Sequence, residues 1–470
     1  MAGTIARLGP QPLQKPAPRR SLSRLAVSVA LVCSGALGGC SDSLSDLNMP
    51  SLPSMPKLSS LNPFAEKQQP LPGKRVPIGL EQDNVTGSLA AADRPIALPP
   101  PHVNDAWTQP GGASNNSPGH LALNAAVRTV WSADAGKGST GYGKLTASPI
   151  VYDGKVFTLD AAGKVSAFNA SGGGAVWRAS TTPANEKDYE GFGGGLAADN
   201  GRIYAATGFG QVVALDPRSG KVLWDKAVGA PVRSSPTAAG DRVYVVTKDS
   251  QVVCLSGVDG SELWTARGLP SSASILSNPS PAIDGDVVVV PYSTGDVVAL
   301  KASDGQTLWT ESLSRTRTGS SLAALNDTAR PVIDSGTVYA VGHSGRMIAA
   351  QEKTGERVWS LPIPGLQAPV VVGDNVFVVD TGGQLMAITR RDGKVQWTAK
   401  LPGSTTWSGP VLAGNKLWLT SAKGQLVGVA ASTGKVESTQ DLGQPIYIAP
   451  IVAGGRMYVL TDKARLIALN

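Results

Sequence analysis

The strongest constraint on the fold is a short unit that recurs along most of the chain. Its fullest copy is residues 214–224, ALDPRSGKVLW, in which a small residue and an Asp precede a Ser-Gly pair and a closing Trp. The copies follow one another at intervals of roughly 40–50 residues, which is the period of propeller blades. The copies that end in Trp close at Trp177, Trp224, Trp264, Trp309, Trp359 and Trp397.

One repeat, residues 232–264, reads as four short strands separated by turns. A stretch of small residues is followed by RVYVVT, QVVCL and SELW, with Gly-Asp, Asp-Ser and Asp-Gly pairs between them. β-Branched and aromatic residues favour strands, and Asp-Gly pairs favour tight turns. The first strand of a propeller blade lies nearest the central axis, where space is limited and small residues fit. The sequence therefore predicts an all-β fold built from four-stranded antiparallel blades.

The two ends of the chain predict how the ring closes. The last copy, from residue 449 to Asn470, has three strands and lacks the turn and the Trp, whereas residues 126–131, AVRTVW, precede the first full copy. We predict that this N-terminal strand, ending at Trp131, completes the last blade. The result is an eight-bladed propeller closed by pairing of the N- and C-terminal strands, which removes the open sheet edges.

The repeated Trp residues are predicted to have an architectural role. Each indole is expected to span the gap between two blades at the rim of the propeller and to cover the neighbouring blade. The small residue of the unit leaves room for the indole, and the Gly allows the positive φ that its turn needs. Cys254 occupies the small-residue position of its copy and is predicted to be buried rather than reactive. We call the repeated Trp residues the docking tryptophans: Trp131, Trp177, Trp224, Trp264, Trp309, Trp359 and Trp397.

The N-terminus reads as a lipoprotein signal. Arg19, Arg20 and Arg24 precede an apolar run over residues 25–37, which is too short for a transmembrane helix, and Leu-Gly-Gly then leads to Cys40. We predict residues 1–40 as the signal peptide, with Cys40 lipidated after cleavage; ordinary cleavage beside an incidental Cys is the alternative. Export by the general or the twin-arginine route stays open.

Residues 41–106 are rich in Ser, Pro, Leu and Asn and show no period of a helix or strand. We therefore predict a flexible tether, followed by the propeller over residues 107–470. The formal charge of +7 comes largely from residues 1–40, which hold basic residues and no acidic ones. The remainder is nearly neutral and has no basic stripe, which argues against nucleic-acid binding.

No pattern of catalytic or metal-binding residues emerges from the sequence. The three His residues, His102, His120 and His343, do not stand at metal-ligand spacing with each other or with Cys. A Gly-rich stretch at residues 136–145 matches G-x-G-x-x-G but opens no helix, which phosphate binding by such a loop requires. We therefore expect no catalytic residue, no cofactor and no metal.

The repeated unit, A-x-D-x-x-[ST]-G-x-x-x-W, resembles the tryptophan-docking repeat of pyrroloquinoline-quinone-type propellers. The quinoprotein dehydrogenases of that group have larger propellers, a vicinal Cys-Cys disulfide and a calcium site, and this chain has no Cys-Cys pair. From Cys40 to Asn470 the sequence is similar to the BamB-type outer-membrane assembly lipoproteins, with a lipobox, a tether and an eight-bladed propeller. Residues 331–347, PVIDSGTVYAVGHSGRM, carry the strongest likeness.

This resemblance implies a scaffold that catalyses nothing. It implies a lipid anchor at the periplasmic face of the outer membrane, and binding to the POTRA domains of BamA and to other assembly-machinery subunits. It also implies help for unfolded outer-membrane β-barrel proteins. Two alternatives stay open: a periplasmic quinone-dependent oxidoreductase and a propeller that binds cell-wall saccharide.

The resemblance further implies a partner-binding region on two neighbouring loops of one face. In this chain the loops are residues 271–281 and 312–330. The apolar pair of the first loop is expected to supply the anchors, since buried apolar side chains dominate interface energies and rim charges add little. The matching positions are Ile275, Leu276, Asn326, Asp327 and Arg330.

Overall fold

The structure, a computed structural model, describes residues 96–188, 191–269, 278–314, 327–404 and 406–470. All regular structure within these ranges is β, in eight four-stranded antiparallel sheets. No helix in these ranges has the length and apolar character that crossing a bilayer requires. The predicted all-β, eight-bladed propeller is confirmed.

The strands follow chain order through seven blades, after a first strand that belongs to the eighth. β1 spans Thr129–Asp134. Blade 1 holds β2 (Ile150–Tyr152), β3 (Lys155–Leu159), β4 (Lys164–Asn169) and β5 (Ala175–Ser180). Blade 2 holds β6 (Gly194–Asp199), β7 (Arg202–Thr207), β8 (Gln211–Leu215) and β9 (Val222–Ala227). Blade 3 holds β10 (Thr237–Ala239), β11 (Arg242–Val246), β12 (Gln251–Ser256) and β13 (Glu262–Arg267). Blade 4 holds β14 (Ala282–Asp284), β15 (Val287–Pro291), β16 (Asp296–Lys301) and β17 (Thr307–Ser312).

The second half of the ring repeats the same order. Blade 5 holds β18 (Val332–Asp334), β19 (Thr337–Val341), β20 (Met347–Gln351) and β21 (Arg357–Leu361). Blade 6 holds β22 (Val370–Val372), β23 (Asn375–Val379), β24 (Gln384–Thr389) and β25 (Val395–Lys400). Blade 7 holds β26 (Trp407–Ala413), β27 (Lys416–Ser421), β28 (Gln425–Ala430) and β29 (Val436–Asp441). Blade 8 holds β30 (Ile451–Ala453), β31 (Arg456–Leu460), β32 (Arg465–Leu469) and β1.

Blade 8 joins the two ends of the chain. β1 pairs antiparallel with β32, with Trp131 opposite Ala468. Backbone hydrogen bonds between Arg128 and Asn470, at 2.9 and 3.1 Å, extend the pairing beyond the strands. The predicted closure by the N- and C-terminal strands is confirmed.

The hydrophobic cores lie between blades rather than within them. One cluster combines Ile150 and Phe157 of blade 1 with Leu196 and Ile203 of blade 2, and the other clusters likewise combine residues of neighbouring blades. Outer strands such as β5 and β9 instead alternate between exposed and half-buried residues. A blade can therefore bury its faces only against its neighbours, as repeat architectures require.

In all blades except the seventh, a docking tryptophan bridges its blade to the next. Each Trp lies opposite the small residue of its own blade, as Trp224 lies opposite Ala214. Its ring covers a turn Gly of the following blade, and these glycines have φ values between 72° and 76°. Each Nε1–H also donates to a backbone carbonyl of that turn, at 2.7–3.3 Å, a bond that the sequence does not predict. The acceptors, in ring order, are Ala170, Pro217, Gly257, Ala302, Glu352, Arg390 and Ala431.

Blade 7 has no docking tryptophan. Ser438 stands where the other blades have Trp, opposite Gly428, and Gly428 lies opposite Trp418 of the second strand. A Cβ on Gly428 would lie 3.0 Å from the ring of Trp418, which is 2% exposed. The large ring beside the small-residue position of blade 7 is therefore that of Trp418 on the second strand.

A segment that precedes β1 closes one end of the central channel. We call residues 96–121 the strap. The innermost strand of a propeller blade has one edge that faces the channel, and its backbone groups need partners when buried. The strap makes hydrogen bonds with all eight blades. The contacts are Trp107 with Val151, Thr108 with Ala198, Gln109 with Ala238, Ser114 with Ile283, Asn115 with Ile333, Ala97 with Asn375, Leu121 with Leu412 and Asn104 with Val452.

The strap includes residues 96–106, which the sequence places in the tether. Ile96 is buried, and its N–H donates to the carbonyl of Ser432 at 3.1 Å. His120, also in the strap, contacts the carbonyl of Pro99 through Nδ1 and accepts the N–H of Asn415 on Nε2. Residues 96–106 thus pack against the blades. The rest of the tether predicted over residues 41–106, namely residues 41–95, lies outside the described residues.

Candidate binding face at the open end of the channel

The strap makes the two faces of the propeller different. It contacts the inner strands where they turn into the second strands, so it covers that end of the channel. The opposite face carries the blade-to-blade connections, which include both loops that the family resemblance implies for partner binding. We call this the open face.

A cavity of about 340 Å³ lies in the channel. Its floor is formed by the strap, through Trp107, Asn116 and Pro118. Its wall is formed by residues that lead into the inner strands of the blades. The described residues that line it include no Asp or Glu, and Arg330 is their one charged side chain.

Arg330 departs from a ring of small residues. In every blade but the second, a Pro stands in or just before the inner strand. The residue preceding that Pro is small in all of these blades except the fifth, as Ser148 is in blade 1. Blade 5 alone puts a long cationic side chain at this position, at Arg330. Burial in the channel lowers the pKa of its guanidinium to about 10. The corresponding residues of the remaining blades are Gly195, Ser235, Ser280, Ala368, Gly409 and Ala449.

A second cavity of about 300 Å³ adjoins the first, and the two share Thr146, Pro279 and Thr328. Here the guanidinium of Arg233 lies 4.7 Å from the centre of the Phe192 ring, a cation–π contact. The described walls of both cavities therefore carry cationic side chains close to the open face.

Of the predicted lipidation and partner-binding residues, the structure describes Asp327 and Arg330. Cys40, Ile275, Leu276 and Asn326 lie outside the described residues. Asp327 is buried, and its carbonyl accepts the N–H of His343 at 2.9 Å. Arg330 lines the channel rather than an outer loop.

Exposed apolar side chains on the open face are a feature that the sequence did not predict. Leu269, Tyr142 and Tyr447 lie in blade-to-blade connections and are 71%, 81% and 51% exposed. Leu269 stands just before the loop that contains the predicted apolar pair. Exposed apolar groups are common where proteins contact each other. A single sequence does not distinguish such residues from core residues, because both are apolar.

The motifs considered for chemistry have structural partners. The Gly-rich stretch is a loop in which the N–H of Lys137 donates to the carboxylate of Asp160 at 2.9 Å, and no helix follows it in the described part of the chain. Among the described residues, no group of three His, Cys, Asp or Glu side chains could hold a metal ion. Cys254 is buried, and burial raises the pKa of its thiol to about 11.

Comparison with known proteins identifies the family. The family model described as outer membrane protein assembly factor BamB matches residues 161–399 and 393–470. This chain belongs to the BamB family. Curated BamB proteins include that of Moranella endobia, 23% identical over 49% of this chain and 61% of the relative, and that of Escherichia coli, 26% identical over 49% and 60%. The chain thus spans about three fifths of the length of these curated relatives.

Solved structures show the same fold. BamB from Moraxella catarrhalis aligns with a TM-score of 0.63 at 18% identity, over 73% of this chain and 100% of that one. A europium-containing methanol dehydrogenase aligns with a TM-score of 0.63 at 14% identity, over 78% and 98%. At these identities the likeness concerns architecture alone, so the fold does not choose between an assembly factor and a dehydrogenase.

The residues of the channel do not fit a quinone–calcium site. Ca²⁺ takes several oxygen ligands, usually including Asp or Glu carboxylates. The described residues around the cavity supply none of these carboxylates. The vicinal Cys-Cys pair is missing as well, because Cys33, Cys40 and Cys254 are not adjacent in the sequence.

Proposed function

We propose that this protein is a lipid-anchored subunit of the β-barrel assembly machinery at the periplasmic face of the outer membrane. It binds the POTRA domains of BamA and aids the insertion of outer-membrane β-barrel proteins, and it catalyses no reaction. The observation that carries the proposal is the family match over residues 161–399 and 393–470. The curated relatives are named as assembly factors.

The open face is the proposed docking surface. The strap covers the other face with a segment whose hydrogen bonds are already made to the blades. The open face presents Leu269 and the connections between blades, and loops on a rigid scaffold commonly carry binding functions.

The proposed contact lies mainly on the first of the two loops. We place the anchors for BamA at Ile275 and Leu276, and a polar contact at Asn326. Asp327 is buried and Arg330 lines the channel, so these two residues support the surface from beneath.

Co-purification with BamA tests the proposal. Membranes from cells that produce the tagged protein would be solubilised in detergent, and BamA in the eluate would be quantified by immunoblot. Wild type should retain BamA. The double variant Ile275→Asp/Leu276→Asp should lose most of it, because unpaired charged side chains are costly to bury in an apolar contact.

A matched control introduces the same charge on the other face. Val258 is an exposed apolar residue in the turn between β12 and β13, on the side of the strap. Val258→Asp should retain BamA like wild type. Wild-type retention by the double variant would contradict the binding site, and failure of the wild type to retain BamA would contradict the proposed function. Dye reduction after addition of quinone and calcium would contradict the absence of catalysis.

A further inference from the structure

The two ends of the strap meet beside blade 7, and a buried His lies where they meet. We call residues 96–102 the N-terminal arm of the strap. Parallel bridges join His102 of this arm to Leu121 at the other end of the strap, and Leu121 to Ala413 in blade 7. His120 precedes Leu121 and is 2% exposed. We call this meeting point the junction.

Both ring nitrogens of His120 have a backbone partner at the junction. Nδ1 lies 2.7 Å from the carbonyl oxygen of Pro99 in the N-terminal arm. Nε2 lies 3.0 Å from the backbone nitrogen of Asn415, in the turn between β26 and β27 of blade 7. The imidazole thus links the N-terminal arm, the other end of the strap and blade 7.

These two partners fix the protonation state of the imidazole. A carbonyl oxygen only accepts hydrogen bonds, so Nδ1 carries a hydrogen and donates it to Pro99. A backbone N–H only donates, so Nε2 keeps its lone pair and accepts the N–H of Asn415. The neutral ring satisfies both contacts. A protonated ring would point an N–H at the N–H of Asn415.

The surroundings of His120 do not compensate a positive charge on the ring. The ionisable side chains of the elements packed around the junction are His102 in the N-terminal arm, Lys416 and Glu437 in blade 7, and Asp374 and Arg390 beside the blade 6 turn that adjoins Pro99. Lys416 pairs with Glu437 at 3.2 Å, and Arg390 pairs with Asp334 at 2.5 Å. In the described part of the chain, none of these side chains bonds to His120. A buried charge without a partner is costly, so the docked arm favours the neutral ring.

Few other hydrogen bonds hold the N-terminal arm. Two of them belong to the junction itself, since His102 donates its N–H to the carbonyl of His120 at 3.0 Å and accepts the N–H of Ala122 at 2.7 Å. Beyond the junction, the arm bonds to the blades through Ile96 and Ala97. The middle of the strap is held differently, by backbone and amide groups that do not titrate, as where Trp107 and Val151 exchange two hydrogen bonds at 2.8 Å.

We propose that His120 is a proton-sensitive latch, whose protonation loosens the N-terminal arm of the strap from blades 6 and 7. The middle of the strap stays in place. Loosening uncovers the apolar surface on which Ile96 packs, formed by residues such as Val372 and Leu412. Imidazole side chains change charge between about pH 5 and 8, so the arm should be docked at the upper end of this range and loosen towards the lower end. The inference does not depend on BamA binding.

Hydrogen–deuterium exchange of the full chain, followed by mass spectrometry at about pH 7.5 and about pH 5, tests the latch. Exchange is expressed as a protection factor, the ratio of the intrinsic to the observed rate at the same pH, which removes the pH dependence of the exchange chemistry. Protection of peptides that cover residues 97–103 and 413–417 should fall at least about tenfold at the lower pH, because the N–H of Asn415 loses its acceptor. Strand β12, Gln251–Ser256, should keep its protection and serves as the internal reference.

Variants assign the effect to one side chain. The protein has three His residues, so the set is small. His120→Gln is neutral at both pH values and should give equal protection in the two peptides at both, whatever its level. His102→Gln is the matched control, because His102 is an exposed His at the same junction, and it should keep the tenfold fall. His343→Gln, in blade 5, should keep it as well. Circular dichroism verifies the fold of each variant.

Several results would overturn the latch. They are unchanged protection of the two wild-type peptides between the two pH values, a fall that persists in His120→Gln, a fall that disappears in His102→Gln, or an equal fall in β12. Retention of BamA is measured separately at neutral pH, where the arm is docked. A failed exchange experiment with intact BamA binding would therefore refute the latch and leave the proposed function standing.

Discussion

The contact between Trp309 and Gly355 tests how the docking tryptophans couple neighbouring blades. Gly355 has a φ of +73°, and a Cβ there would lie 2.7 Å from Cγ of Trp309 in the preceding blade. Gly336 of the same blade has a φ of +75°, yet its Cβ would meet nothing within 4 Å. An Ala at either position carries the same backbone strain, but only Gly355→Ala also crowds a docking ring.

The expected magnitudes differ accordingly. A left-handed conformation costs a residue other than Gly about 1–2 kcal/mol, so Gly336→Ala should lower the free energy of unfolding by that amount. Overpacking adds about 1–3 kcal/mol, which gives about 2–5 kcal/mol for Gly355→Ala. Trp309→Ala alone should cost about 3–5 kcal/mol. In the Trp309→Ala background the ring is gone, and Gly355→Ala should cost only about 1–2 kcal/mol.

Urea unfolding followed by far-ultraviolet circular dichroism measures these differences. The double variant should be more stable than additivity predicts, by a coupling energy of about 1–3 kcal/mol. Equal costs for Gly355→Ala and Gly336→Ala would refute the reasoning. An unchanged cost of Gly355→Ala in the Trp309→Ala background would refute it as well.

Three further predictions concern the interior of the ring. Gly428→Ala should lower the free energy of unfolding by about 1–3 kcal/mol in urea, because the new Cβ crowds the ring of Trp418. This cost is expected even though most other blades have Ala at the equivalent position. Unchanged stability would contradict this packing. Gln109→Leu should lower the free energy of unfolding by about 1–3 kcal/mol in the same assay. The variant leaves the N–H and C=O of Ala238 without the hydrogen bonds that Gln109 makes to them, at 3.2 and 2.8 Å. The thiol of Cys254, with its pKa raised from 9.0 to about 11, should resist iodoacetamide at about pH 8 in the folded protein, as mass spectrometry of its peptide would show. Because folding favours the protonated thiol, Cys254 should stabilise the folded state fully below pH 9.0. This stabilisation should be lost as the pH rises to about 11.

Most of the architecture could be predicted from the sequence because each blade repeats the same local chemistry. A Gly precedes each docking Trp of the full copies by a fixed interval, and the incomplete copy at Asn470 pairs with the extra strand at Trp131. The contact of Trp418 with the small-residue position of blade 7 was not predicted, because Ser438 and Trp418 lie on different strands and become related only through the register with Gly428.

The strap was not predicted, for a physical reason. It contributes between one hydrogen bond (blade 6) and four (blade 7) to a blade, through scattered residues such as Trp107, Gln109 and Ser114. It therefore has neither the period of a strand nor that of a helix. Its Pro and Gly content is also typical of a flexible linker. The strap is held in place by hydrogen bonds to the free edges of the inner strands. These edges come together around the channel only once the ring has formed.

The candidate site was only partly predictable. The loops of the open face follow from the family resemblance, but the place of Arg330 in the channel depends on the blade geometry. A signal was nevertheless present, since aligning the repeats shows Arg330 where other blades have Ser, Ala or Gly before Pro. The place of Trp107 and Asn116 in the floor of the cavity had no signal, because both belong to the strap.

Disulfide trapping of β1 against β32 tests the closed ring most directly. Asp134 lies opposite Arg465 in blade 8, and Asp296 lies opposite Ser312 at the matching place in blade 4. With the native Cys residues replaced by Ser, Asp134→Cys/Arg465→Cys should form a disulfide under mild oxidation as fully as Asp296→Cys/Ser312→Cys, as quantified by mass spectrometry of the linked peptides. Asp134→Cys/Ser312→Cys should not, because blades 8 and 4 stand on opposite sides of the ring. Efficient trapping in blade 4 without trapping in blade 8 would contradict a ring closed by the two chain ends.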